Sequence, residues 1–250
     1  MLSNKHIITS KKKPIGIIGG MGPYATLDFL NKIAISAKAA HDQQHVPFLL
    51  YSNPETPDRT SALLHGGASP LPLMVEGVTW LNSFELACVA IPCNTAHCWF
   101  KELQLLSDNT ILHIAQVLCK SLIHKKCKSV AILSTSATSS QRIYESHINS
   151  YDIDIDNICN IEVNDIVETS IHLIKRGMIQ EAQSLLLPLI DNLLSFGVEY
   201  IILGCTELPI ALCGFGFPFN EKLLDPTLAL AEECVRISCN TAMANIVQPA

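Results

Sequence analysis

Two stretches of this sequence are answered by two others at nearly the same distance along the chain. PIGIIGGMGPYAT, from Pro14, is echoed by SVAILSTSATSS, from Ser129, with Ile15 set against Val130 at an offset of 115. VAIPCNTAH, which holds Cys93, is echoed by IILGCTELP, which holds Cys205, at an offset of 112. Each stretch is a short β-rich apolar run that breaks at a turn residue and passes into a helical pattern, as in a βαβ unit with a parallel sheet. Two paired landmarks at nearly equal offsets favour two similar α/β lobes over one continuous sheet.

The remaining pattern fits that division. Strands are expected at 15–18, 48–51, 86–91, 129–133 and 200–203, and helices at 24–37, 71–82, 115–124, 162–175, 179–194 and 227–238. The first lobe takes residues 1–114 plus 220–250 and the second 115–219, with the crossing near 111–115. The LLDPTLALAEECV segment is expected to form a strand end and a helix that return to the first lobe, Asp225-Pro226 starting the helix.

Composition narrows the chemistry. The net charge of −6 gives no general reason to bind nucleic acid or an anionic membrane, and no apolar run approaches the ~20 residues needed to cross a bilayer. Small-molecule chemistry follows. Ten cysteines in 250 residues are too sparse for a disulfide scaffold, and MLSNKHIITSKKK lacks the apolar region of a secretory signal, so reduced thiols in the cytoplasm are the expectation. Lys11, Lys12 and Lys13 read as a solvated lead-in to the first strand.

In open parallel sheets, ligands sit beyond the carboxyl ends of the strands, and Cys93 and Cys205 both fall there, just before a helix start. Unpaired helix N–H groups and a partial positive charge at such a place lower a thiol pKa and favour the thiolate. Asn94, Thr95 and Thr206 add amide and hydroxyl groups able to bind a carboxylate. The other cysteines, 88, 98, 119, 127, 159, 213, 234 and 239, lack this setting and read as core or incidental. No CxxC pair is present, and Cys93, His97 and Cys98 do not reproduce metal-ligand spacings, so no metal is expected. GIIGGMGP is neither GxGxxG nor a Walker motif; its glycines read as a close-approach turn at the ligand, with Pro23 in the first turn of a helix. Met21 packs against the ligand or fills the core. Thr135 is a ligand donor or a helix cap. His97 reads as capping or packing, and Glu207 as favoured by the helix start yet opposed to a thiolate at Cys205.

These motifs together carry a resemblance. IGIIGGMGPYAT, NPETPDRT, IPCNTAH, ILGCTELP and LDPTLALA, in this order over nearly the whole chain, resemble the aspartate/glutamate racemase family. Glutamate racemases of the peptidoglycan type carry a DSG-like first motif and a GCTHYP-like later one; GGMGP and GCTELP look closer to the aspartate racemase branch. The resemblance implies two pseudo-symmetric lobes with the active site in the cleft between them, catalysis by Cys93 and Cys205, no pyridoxal phosphate or other cofactor, and a homodimer. It also implies that Arg59 and Lys175 hold the distal carboxylate of an acidic amino acid, with Arg176 as the alternative to Lys175.

The implied reaction is a two-base inversion. One thiolate removes the α-proton from one face and the opposite thiol donates a proton to the other, so the pair must be held in opposite protonation states. Aspartate is the expected substrate, with glutamate beside it. The alternatives are another cysteine-dependent isomerase or decarboxylase acting on hydantoins, maleate or malonates, and a small-ligand binding protein that keeps the fold without turnover.

Overall fold

The computed structural model describes residues 12–125, 127–148, 154–155, 161–213 and 221–244; Lys11 and Cys159 lie outside them. The first half runs β1 (Ile15–Gly19), α1 (Pro23–Ser36), β2 (Phe48–Ser52), α2 (Arg59–Leu64), α3 (Leu71–Leu81), β3 (Cys88–Ala90) and α4 (Phe100–Leu106). The second half runs α5 (Ile114–His124), β4 (Ser129–Leu133), α6 (Ser136–Ser140), α7 (Glu145–Ile148), β5 (Asp154–Ile155) and α8 (Ile161–Lys175). It continues through α9 (Ile179–Ser195), β6 (Tyr200–Leu203), α10 (Leu208–Leu212), β7 (Leu223–Leu224) and α11 (Pro226–Ala244).

The strands form two parallel sheets, ordered β2-β1-β3 and β5-β4-β6-β7. The echo in the sequence is thus an echo in topology: β1 and β4 are the central strands, and β3 and β6, which lead to the two cysteines, pair with them. Even the fourth position is matched, since Ile111 makes a single parallel bridge to Val89 where β7 pairs with β6 in the other lobe.

Parallel strands covered on both faces read as continuous apolar runs, and their alternate residues supply two cores. In the first lobe Ile15, Ile17, Cys88 and Ala90 face one cluster, while Ile18, Val89 and Ile91 face the other. In the second, Ala131, Leu133, Ile201 and Leu203 face one side, and Val130 and Ile202 the opposite one. The lobes are tied by the helices that follow the fourth strand positions. α5 gives Ile114 and Val117 to a first-lobe core and Ala115, Leu118 and Leu122 to a second-lobe core. α11 packs on α1, α5 and β3, sending Leu230 and Cys234 into the first lobe.

The strand before α11 differs from the sequence reading, which groups residues 220–250 with the first lobe. Leu223–Leu224 hydrogen-bonds to β6 and belongs to the second sheet, so the chain crosses back only at Asp225. A two-residue strand has no periodicity to show where it pairs. No helix among the described residues is long and apolar enough to cross a membrane.

A buried charge cluster holds this return crossing. Lys32 of α1 forms ion pairs with Asp28 and Asp225, and its Nζ donates to Thr227 Oγ1 at 2.7 Å. Asp225 Oδ1 also accepts from the Thr227 and Leu228 amides at 2.9 and 3.2 Å, satisfying free N–H groups at the start of α11.

Candidate active site

The two sheets direct their equivalent strand ends into one cleft, of about 310 Å³ with the solvent at its mouth included. Cys93 and Cys205 both line it. So do Met21, Arg59, Asn94, Thr95, Thr135, Lys175 and Thr206, the other residues singled out by sequence, together with Asp58, Thr60 and Glu207. Residues from three first-lobe segments and three second-lobe elements converge here because parallel strands end on the same side of their sheet.

Backbone geometry brings the first loop close. Gly20 has φ +91°, and a Cβ there would lie 2.4 Å from the Asn53 carbonyl carbon, so only glycine fits. A Cβ on Gly22 would stand 3.3 Å from Glu207 Oε1, which sets the first-lobe loop directly against the second-lobe turn. Thr26 Oγ1 fixes this loop, accepting from the Gly20 amide and donating to the Gly22 carbonyl, each at 2.9 Å. Pro23 opens α1, and Met21 is both a core side chain and a wall of the cleft.

The two thiols stand in unlike settings. Cys205 Sγ donates to Glu207 Oε2 at 3.1 Å, and Thr206 Oγ1 donates to the same oxygen at 3.3 Å. Burial pushes the Cys205 thiol well up, the Glu207 carboxylate pushes it further, and the Lys175 charge opposes them. This corrects the expectation of a lowered pKa at Cys205. The helix after Cys205 has only five residues, so its dipole is small beside a carboxylate in contact. Cys93 has no acidic hydrogen-bond partner among the described residues.

His97, four residues after Cys93, supports the loop and leaves the chemistry to others. The Ile114 amide donates to Nε2 at 3.2 Å, which makes that nitrogen an acceptor and places the proton on Nδ1, 2.9 Å from the Cys93 carbonyl. Burial lowers its pKa to about 4, so the ring is neutral at pH 7.

Arg59 reaches the cleft from the first turn of α2, whose N-cap Asp58 accepts from the Ser61 amide at 2.8 Å. The residue is 9% exposed, and its guanidinium donates from Nη1 to the Thr56 and Pro57 carbonyls and from Nη2 to the Met21 carbonyl, at 2.9–3.2 Å. These bonds orient the fork while leaving Nε–H and one Nη2–H for a ligand carboxylate. Lys175, the last residue of α8, is exposed and approaches from the other lobe.

Thr95 Oγ1 meets Thr138 Oγ1 at 2.8 Å and Thr135 Oγ1 at 3.2 Å, a cluster of hydroxyls joining the lobes beneath the cleft. Thr135 also caps α6 by accepting from the Thr138 amide at 3.2 Å, which bears out the cap reading, and it lines the cleft. Asn94 Oδ1 accepts from Tyr144 Oη, another contact between lobes. Tyr144 and Thr138 carry no signal in the sequence, since their importance lies in which residue of the other lobe they meet.

The profile of the Asp/Glu/Hydantoin racemase family matches residues 18–234. The chain belongs to this family. As a member of it, the chain is similar to the aspartate racemase of Picrophilus torridus, at 33% identity and a TM-score of 0.80, covering 91% of this chain and 94% of that one. The broad specificity amino-acid racemase RacX of Bacillus subtilis (strain 168) is 27% identical over 203 residues, 79% of this chain and 87% of its own. An aspartate racemase homologue from Pyrococcus horikoshii OT3 shares the fold, with a TM-score of 0.71 at 21% identity over 91% of this chain and 99% of that one. The family and these likenesses make the protein a racemase-type isomerase in class, with the α/β architecture of the racemases.

Proposed function

We propose that this racemase interconverts L- and D-aspartate, with glutamate as the neighbouring substrate, by a cofactor-independent exchange between two thiols. The observation that carries the reading is that Cys93 and Cys205, at equivalent strand ends of two lobes, line one cleft. Arg59 and Lys175 on the same cleft suit a distal carboxylate, the first by a two-pronged grip and the second by point charge.

In one direction the Cys93 thiolate takes the α-proton, and the Cys205 thiol gives its proton to the opposite face of the carbanion. The C–H bond broken and the C–H bond formed lie on opposite faces, so the centre inverts. Cys205 is prepared as the donor by its bond to Glu207, which favours the thiol. In the reverse direction the Cys205 thiolate is the base, with the Lys175 charge opposing the repulsion from Glu207. Amide, hydroxyl and guanidinium dipoles fixed around a small cleft stabilise the carbanion without reorganising during the reaction.

The likeness to a broad-specificity racemase favours a second reading, in which neutral amino acids are also accepted. A homodimer working in the cytoplasm, without nucleic acid or membrane partners, completes the proposal. Chiral analysis after incubation with each enantiomer of aspartate, glutamate and several neutral amino acids tests it. Inversion of aspartate in reducing buffer supports the reading; inversion of neutral amino acids alone overturns the acidic substrate, and no inversion of any overturns the activity.

A further inference from the structure

Asn94 is 2% exposed and lines the cleft, yet its Nδ2 is buried without a hydrogen-bond partner among the described residues. Buried amide donors rarely stay unpaired, because desolvation costs free energy that nothing returns. The hydroxyls beside it are already engaged, Thr95 with Thr135 and Thr138, and Thr206 with Glu207. The other end of the same amide is held: Tyr144, itself 1% exposed, donates from Oη to Asn94 Oδ1 across the junction of the lobes. A side-chain amide can turn by 180° and exchange oxygen for nitrogen, but turned here it would take from the buried Tyr144 hydroxyl proton its one acceptor among the described residues, so the phenol holds Oδ1 toward itself.

We propose that Tyr144 is a positioning residue: its hydroxyl fixes the Asn94 amide so that Nδ2 is reserved as a donor to the substrate's α-carboxylate. This rests on the reading of the cleft as an amino-acid site. Tyr144 suits the task because burial, and the neighbouring Cys119, Asp225 and Cys205, push its pKa well up, so the phenol keeps its proton at neutral pH. With the hydroxyl gone, the amide is free to present Oδ1 to the carboxylate, which repels it. Because Tyr144 follows β4 and Asn94 follows β3, the donor is aimed only when the lobes are in contact. Recognition of the carboxylate is therefore coupled to lobe contact.

The test is calorimetric binding of L-aspartate to the wild type and to Tyr144→Phe, beside steady-state kinetics. Loss of an aimed donor to a charged group raises Kd and KM about tenfold, the loss of one good hydrogen bond. The kcat is expected to fall less than threefold, and affinity for β-alanine, which lacks the α-carboxylate, to be unchanged. Asn94→Ala raises Kd alike, and the double variant is no worse than either single one. Should Tyr144→Phe fail to fold, Asn94→Asp decides: it keeps an acceptor for Tyr144 but removes the donor, so it should lose aspartate binding while still binding β-alanine. Wild-type affinity in Tyr144→Phe, additive losses in the double variant, or unimpaired aspartate binding in Asn94→Asp would overturn the proposal. A wild type that binds aspartate without inverting it would sink the racemase reading and leave Tyr144 in its role; one that binds no amino acid overturns both.

Discussion

Cys205 Sγ donates to Glu207 Oε2 at 3.1 Å, while Cys93 at the equivalent strand end of the other lobe has no acidic partner among the described residues. The two-lobed symmetry that delivers the thiols to one cleft is broken at the thiols themselves. That is useful to a two-base device, which needs one thiol and one thiolate at the same moment.

Glu207→Gln removes the charge and keeps the hydrogen-bonding shape. Cys205 should then ionise at lower pH, read by the pH dependence of its alkylation with iodoacetamide and mass spectrometry. The alkaline limb of kcat/KM should move down with it, because that limb reports groups of the free enzyme. An unchanged alkylation profile would remove Glu207 from the control of Cys205.

Arg59→Lys keeps a positive charge but cannot reproduce a planar fork bound to the Thr56, Pro57 and Met21 carbonyls. KM for aspartate is expected to rise about tenfold or more, the effect of losing a bidentate charge-assisted grip. Any turnover of alanine should be unaffected, which separates distal recognition from damage to the cleft. Equal losses on both substrates would assign Arg59 to the scaffold alone.

Lys32→Met leaves the Asp225 carboxylate buried without its cation. Breaking one side of a buried ion pair costs about 3–5 kcal/mol, and the loss should appear as a lower midpoint in urea denaturation. The double variant Lys32→Met/Asp225→Asn should recover part of it. Little change in Lys32→Met would mean that the crossing into α11 is held by the helix cap alone.

Acid should weaken the fold through its buried imidazoles. Burial lowers His97 to about 4, and lowers His113, which stands against His97 and His147, to about 2. Each is neutral in the folded protein and takes up a proton on unfolding below about 6.5. The unfolded state therefore binds more protons there, and stability falls as pH drops from about 6.5 toward the folded-state values. His97 alone should contribute a loss of about 2 kcal/mol between pH 7 and pH 5, measured by urea denaturation at both. A flat profile over that range would contradict the neutral buried ring.

The longer elements were legible because their patterns are strong: β4 and β6 lie where short continuous apolar runs place them, and α1, α3, α8 and α9 lie within a residue or so of their helical periodicity. The short ones were not. α2 and α6 depend on single caps, Asp58 and Thr135, and β5 and β7 are two residues each, too short for any period to register. At the cleft, residues beside a motif could be found, since a turn delivers its neighbours together. Tyr144 and Lys32 could not, because their partners Asn94 and Asp225 are far away in sequence and only packing of the lobes joins them. Asp225 shows both sides: its place as the start of α11 was readable, its ion pair was not.

The central claim, inversion by two thiols on opposite faces, is tested most directly by following L-aspartate in deuterium oxide from the first turnovers. A two-base exchange places solvent deuterium at the α-carbon of every D-aspartate formed, while unreacted L-aspartate keeps its protium, and Cys93→Ala and Cys205→Ala each lower the inversion rate by about 10³-fold. Early D-aspartate that retains the original protium, or a Cys205→Ala variant that inverts at near wild-type rate, would contradict it.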